Sequence, residues 1–252
     1  MRSKLPPVIL FTAKEKEVLD MTESTAVRPP GKYRHEHKYA LDYLNYLSLR
    51  QKLQVVMRPD KHSGADGRYL ITSLYFDNCF DKALKEKLHG VSMREKFRLR
   101  YYGEDFETVF LEKKQKVNGL CLKNSAPLSY DDCLRILDGS HGELLNSQTP
   151  LVAELGFKMQ TQLLRPRSVV RYNREAYVYS TGNVRITFDS DISTGLSPDW
   201  FFEPSQTPLA NPVLIMEVKY DEFLPEMIRH IVQPHCTRLQ AFSKYASCRS
   251  MA

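Results

Sequence analysis

The sequence predicts an α+β protein built on one large antiparallel sheet. Three observations point there. Segments rich in β-branched and aromatic residues outnumber helical ones. Several of these segments alternate charged and apolar residues at period two, the repeat of a strand with two unlike faces. The helical segments are short and interrupt the strands without alternating regularly with them.

Taken in order, residues 1–31 carry scattered charge, Pro29-Pro30-Gly31 and little periodicity. They read as a poorly ordered leader, with Met21 an alternative start and 32–252 the folded domain. Tyr33–Tyr39 reads as a first strand. A helix follows over 42–57, with Asp42 at its N-cap, Tyr43, Tyr46 and Leu47 on one face, and Arg58-Pro59-Asp60 stopping it. Tyr69–Asp77 is a second strand, and 79–89 a short helix ending at Gly90. Lys96–Tyr102 and Thr108–Lys116 form a hairpin around Gly103-Glu104-Asp105.

Residues 130–138 form a helix capped by Ser129 and ended by Gly139. Tyr130, Cys133, Leu134 and Leu137 have the spacing of one face. A further helix is expected over 151–163, then strands near 167–178, 184–190 and 212–220. A last helix covers 224–232, with Pro225 in its first turn.

Composition narrows the partners. Hydrophobic residues make up 42% of the 252-residue chain, enough for an ordinary core. The net charge of +6 favours an anionic partner without choosing among nucleic acid, a membrane surface and a phosphorylated small molecule. The five cysteines form no C-x-x-C pair, so no disulfide framework or structural zinc site is expected. No apolar run approaches the ~18 residues of a membrane span, and the stretch Val8-Ile9-Leu10-Phe11 is short for a signal peptide. A cytoplasmic protein with no integral membrane segment is expected.

The charged strand faces carry the chemistry. Lys96, Arg98 and Arg100 share one face of their strand, opposite Phe97, Leu99 and Tyr101. Glu112, Lys114 and Lys116 lie opposite Leu111. Arg185, Thr187 and Asp189 lie opposite Val184, Ile186 and Phe188. Glu217 and Lys219 lie opposite Met216 and Val218. Two architectures fit this pattern: a sheet with one wet face, or a barrel whose interior is charged and whose outside is covered by helices. Three cations on one short strand face repel one another unless an anion or acidic partners sit among them. Arg and Lys suit phosphate, the first as a fork and the second as a point charge.

Other devices are absent. There is no G-x-x-x-x-G-K-[ST] and no G-x-G-x-x-G, so side chains must hold any phosphate. No Ser-His-Asp or Cys-His signature appears. His35 and His37 flank Glu36, but Tyr39 stands where H-E-x-x-H needs its second histidine. The aromatics do not line up on the basic faces as stacking platforms would, so nucleic acid is not the expected partner.

Eight segments, in order, then resemble one family: Tyr33-Arg-His-Glu-His-Lys-Tyr39, Ser73-Leu-Tyr-Phe-Asp77, Lys96-Phe-Arg-Leu-Arg-Tyr-Tyr-Gly103, Leu111-Glu-Lys-Lys114, Tyr172-Asn-Arg-Glu-Ala176, Arg185-Ile-Thr-Phe-Asp189, Met216-Glu-Val-Lys219 and Ser243-Lys-Tyr245. The chain resembles the VTC domain, the catalytic module of polyphosphate polymerases in the triphosphate tunnel metalloenzyme superfamily.

The resemblance implies a closed antiparallel β-barrel tunnel of about eight strands with peripheral helices. It implies that ATP, another triphosphate or polyphosphate is the ligand. Lys38, Arg98, Arg100, Lys114, Tyr172, Arg174, Ser243 and Lys244 would hold phosphate oxygens, with Arg98, Arg100, Arg174 and Lys244 acting on the reacting group. Lys96, Arg185 and Lys219 join the substrate-binding set from their strand faces. Glu217 would hold Mn2+ or Mg2+.

The superfamily's Glu-x-Glu-x-Lys is incomplete here. Arg34 takes the first position and leaves Glu36-x-Lys38, which sets the chain apart from the hydrolase branches. The eukaryotic polymerases' SPX domain and membrane region are not expected in this sequence. Three activities fit such a tunnel: transfer of a phosphoryl group to a growing polyphosphate, hydrolysis of a triphosphate, and sensing without turnover.

Overall fold

In a computed structural model, the structure describes residues 32–195, 197–202, 207–208, 213–233 and 242–249. The expected leader lies outside the described residues. Eight strands of seven or more residues carry the fold: β1 (His35–Leu41), β2 (Arg68–Asp77), β3 (Met93–Tyr102), β4 (Asp105–Val117), β5 (Leu120–Leu128), β6 (Arg165–Tyr179), β7 (Val184–Gly195) and β8 (Leu214–Tyr220). Among the described residues, six α-helices join or flank them: α1 (Tyr43–Val56), α2 (Lys82–Leu88), α3 (Tyr130–Leu137), α4 (Pro150–Thr161), α5 (Glu226–Val232) and α6 (Lys244–Arg249).

The strands form one antiparallel sheet in the order β1-β8-β7-β6-β2-β3-β4-β5. The expected closed barrel is corrected on one point. The edge strands β1 and β5 do not form a ladder. Among the described residues, their backbones pair at one place, the bridge between Arg34, just before β1, and Cys121, whose two N–H groups each donate to the other residue's carbonyl at 2.9 Å. The sheet therefore curls until its edges touch without closing. The Lys114 ammonium on β4 donates to the Glu36 carboxylate on β1, so an ion pair spans this seam.

Local chemistry explains most elements. Asp42 caps α1 by accepting from the Asn45 N–H at 2.8 Å. Tyr46, Leu49 and Leu53 form the buried stripe of α1, while Tyr43 stays exposed. Ser129 caps α3, accepting from the Asp132 N–H at 3.1 Å. The buried face of α3 is corrected: Cys133 and Ile136 are fully buried, whereas Tyr130 and Leu134 are exposed. Pro225 stands just before α5 with extended ψ, at the N-cap rather than in the first turn.

Two elements escaped the sequence reading. One is β5, joined to β4 through Asn118 and Gly119, both at positive φ. The other is α6. Among the described residues, no helix is long and apolar enough to cross a membrane.

The alternation of the strands gives the sheet an apolar outside. Phe97, Leu99 and Leu111 pack with Cys133 and Ile136 of α3 and Leu155 of α4. Ile186, Met216 and Val218 pack with Leu49 and Leu53 of α1 and Ile228 of α5. The third apolar cluster sits on the opposite, concave face. Ile71, Val170, Tyr172 and Ile215 share strand parity with the charged residues, and they pack with Tyr245 and Cys248 of α6. So α6 lies against the inner face at one end, and the charged positions follow farther along the strands.

Candidate functional site

The concave face encloses a cavity of about 890 Å³. Its wall draws on all eight long strands, because period two turns every second residue inward. Lys96, Arg98 and Arg100 come from β3, Glu112 and Lys114 from β4, and Lys123 from β5. Tyr172 and Arg174 come from β6, Arg185 from β7, Glu217 and Lys219 from β8, and Glu36 and Lys38 from β1. Tyr69 and Tyr75 enter from β2, and Ser243 and Lys244 from the start of α6. All twelve residues named from the sequence as ligands, the Glu217 metal ligand among them, therefore stand in one cavity. Phe97 and Leu99 face the outer core, so the register is the expected one.

The described lining holds thirteen Lys or Arg residues against four Asp or Glu. That excess sets up a field that favours a polyanion over any neutral ligand. The cations do not simply repel one another, because three carboxylate hubs organise most of them.

On β4, Glu112 accepts from Arg98 Nε at 2.7 Å and from Lys123 Nζ at 2.6 Å, with Arg100 at 3.5 Å. On β7, the fully buried Asp189 takes the Arg174 guanidinium as a fork, at 2.6 and 2.8 Å, and also accepts from Lys244. The third hub joins β1 and β8. Glu217 lies 3.3 Å from Lys38 and 2.9 Å from Lys219, and Glu36 takes Lys114 and lies 3.5 Å from Lys38.

Hydroxyls complete the wall. Arg98 Nη1 donates to Tyr75 Oη at 2.9 Å. Arg100 donates to Ser73 Oγ at 3.2 Å and to Tyr172 Oη at 3.1 Å. Arg185 pairs with Asp60 and donates to Tyr69 Oη at 2.9 Å. These contacts fix the guanidinium planes before any ligand arrives, which lowers the ordering cost of binding.

Burial sets the ionisation of the hubs. It would raise all three groups of carboxylates, but the cations around them win. Arg100, Arg98 and Lys123 hold Glu112 well below the usual range. Arg174 and Lys244 bring Asp189 down to about 2. Lys219, Lys38, Lys114 and Arg174 hold Glu217 well below the usual range, and Glu36 is lowered by Lys114, Lys38 and Lys219.

The donor set fits a hard divalent cation. Glu36 and Glu217 are ionised and close enough to act on each other. Thr187, the ladder partner of Glu217, has a buried Oγ1 with no hydrogen-bond partner. These are oxygen donors of the kind Mg2+ and Mn2+ take, with phosphate and water completing the shell. His35 and His37 do not join them. They stack on Tyr220, and His37 Nε2 lies 3.1 Å from its hydroxyl. Among the described residues, no group of three or more His, Cys, Asp or Glu side chains forms a metal cluster.

Ser243, expected to hold phosphate, caps α6 by accepting from the Ala246 N–H at 3.3 Å. The sequence reading left out Tyr69, Ser73 and Tyr75 as wall residues. Their signal was present, since they continue one parity along β2. Lys123 was missed with its strand.

The comparisons with known proteins follow this geometry. The family model of the VTC domain matches residues 33–252. A candidate adenylate cyclase from Bacillus halodurans is 13% identical, covering 83% of this chain and 92% of its own, with a TM-score of 0.53. The PH1819 protein from Pyrococcus horikoshii OT3 is 14% identical, covering 87% of this chain and all of its own, with a TM-score of 0.48. At such identities the likeness to the first concerns the fold alone. No curated protein matches.

Proposed function

We propose, from the premise that this chain belongs to the VTC domain family, which its residues 33–252 match, that it is a polyphosphate polymerase-like phosphotransferase. A nucleoside triphosphate would enter the tunnel and pass its γ-phosphoryl group to the end of a growing polyphosphate. The observation that carries this reading is the lining itself, with thirteen cations against four carboxylates around about 890 Å³.

Phosphoryl transfer asks little covalent chemistry of a protein. Positioning and charge neutralisation supply most of the rate. Arg98, whose Nε and Nη2 both reach one oxygen of Glu112, and Arg174, held in a fork by Asp189, are placed to take phosphate oxygens with their remaining N–H groups. Arg100 and Lys244 add charge where the transferred group spreads its own. Lys38, Lys96, Lys114, Tyr172, Arg185, Lys219 and Ser243 line the path of the rest of the chain. Glu217, with Glu36 and Thr187 beside it, would hold Mn2+ or Mg2+. Bound there, the metal supplies Lewis-acid neutralisation of phosphate oxygens.

Incubation with ATP and Mn2+ tests the proposal. Long-chain polyphosphate supports it. Free phosphate alone marks a triphosphatase, and neither product marks a sensor; both results would overturn the polymerase reading.

A further inference from the structure

Eleven of the thirteen described Lys and Arg residues that line the tunnel have a carboxylate within 4 Å. The exceptions are Arg68 and Lys96. Arg68 donates to the Tyr46 hydroxyl at 3.1 Å, and that hydroxyl donates in turn to Glu175, so its charge is relayed to an acid outside the tunnel. Lys96 has no such relay. Its ammonium stands 5.0 Å from the centre of the Tyr75 ring. Its partner across the β3–β4 ladder is another lysine, Lys114. Lys114 is itself engaged by Glu36.

We propose that Lys96, over the ring of Tyr75, is a phosphate subsite that takes up a proton from solvent when a polyphosphate chain binds. The bound anion supplies the counter-charge that no described carboxylate gives this amine. The inference rests on the polyphosphate reading of the tunnel, and adds to it that binding and protonation are linked at one residue.

The surroundings support this. Tyr75 on β2, Lys114 on β4, Lys38 on β1 and Arg98 on β3 act on the amine. Removal from water is the largest influence and lowers its basicity. Tyr75 opposes that effect, while Lys114, Lys38 and Arg98 add to it, and the result is about 7. Tyr75 is pulled the other way. Burial would raise its phenol, but Arg98 and Lys96 outweigh burial and lower it. In the free tunnel near neutral pH the amine is therefore poised between its two forms. A phosphate oxygen beside it favours the charged form, so the amine gains a proton on binding.

Titration calorimetry with ATP in a metal chelator at pH 8, run in two buffers of different ionisation enthalpy, reads this proton directly. At pH 8 the single terminal phosphate of a nucleotide is almost fully ionised, its last proton leaving about one pH unit or more lower. The wild type is expected to take up about one proton at Lys96 for each nucleotide bound. Lys219, lowered to about 8, adds its own share to wild type and variant alike. Lys96→Met, which keeps the stem and removes the amine, is expected to lose most of the uptake and to bind several-fold more weakly. Binding with no proton uptake in the wild type, or an unchanged uptake in Lys96→Met, would overturn the proposal. The first needs no variant. If the wild type gives no binding heat at all, the polyphosphate reading beneath it falls too.

Discussion

Arg174 and Asp189 face each other across the β6–β7 ladder and form a fork, Nε to Oδ1 at 2.6 Å and Nη2 to Oδ2 at 2.8 Å. The same carboxylate accepts from Lys244 at the start of α6, so one buried acid ties the sheet wall to the helix at the tunnel end. Asp189→Asn keeps the shape and removes the charge that two buried cations share. Breaking one side of a buried pair costs about 3–5 kcal/mol, because the remaining charges lose their partner. Urea unfolding of the variant should show a loss in that range. A loss below about 1 kcal/mol would mean that Arg174 and Lys244 are satisfied without Asp189.

The same acid predicts a pH dependence. Asp189 falls from the ordinary 3.8 to about 2 in the folded chain. A depressed carboxylate stabilises the fold above its unfolded value and loses that contribution as pH falls through the folded one. The window is therefore about pH 4 down to about 2, and the contribution is about 2 kcal/mol. In urea titrations across that window, the stability gap between wild type and Asp189→Asn should narrow by about this amount. A gap independent of pH would show that the carboxylate titrates normally.

Glu217→Gln should abolish metal-dependent turnover and leave the fold intact. Glutamine keeps one acceptor oxygen but lacks the charge that a hard cation requires. It also removes a negative charge that now compensates Lys38 and Lys219. Triphosphate affinity measured in chelator should hold or rise, as the tunnel becomes more positive. A residue that only buttresses Lys219 would lose affinity along with activity. Near-normal turnover with added Mn2+ in the variant would show that Glu217 is not the metal's ligand.

Much of this site was legible because strands have a strict period. Once Lys96, Arg98 and Arg100 were seen to share parity, Phe97 and Leu99 had to face the other way, and the outer core confirms it. What was missed had different causes. Asn118-Gly119 is a strong two-residue hairpin signal, and both residues adopt the positive φ such a turn needs. The strand after it, Leu120–Leu128, carries Lys123, Asn124 and Ser125 with Pro127 near its end, and this polar edge hides its β pattern. The six residues of α6 are too short for helical periodicity to register. Its role comes from Tyr245, which donates to the buried Asp77 at 2.7 Å from 168 positions away in sequence. Closure was overestimated because one edge bridge and the Lys114–Glu36 ion pair stand where a ladder was expected.

The central claim is that the guanidinium groups of this tunnel grip a phosphate chain. Calorimetric titration with a non-hydrolysable triphosphate, in wild type and in Arg98→Ala and Arg174→Ala, tests it most directly. The account predicts that each variant binds ~1.5–3 kcal/mol more weakly, the range for a lost charged hydrogen bond. Both variants binding as tightly as the wild type would contradict it.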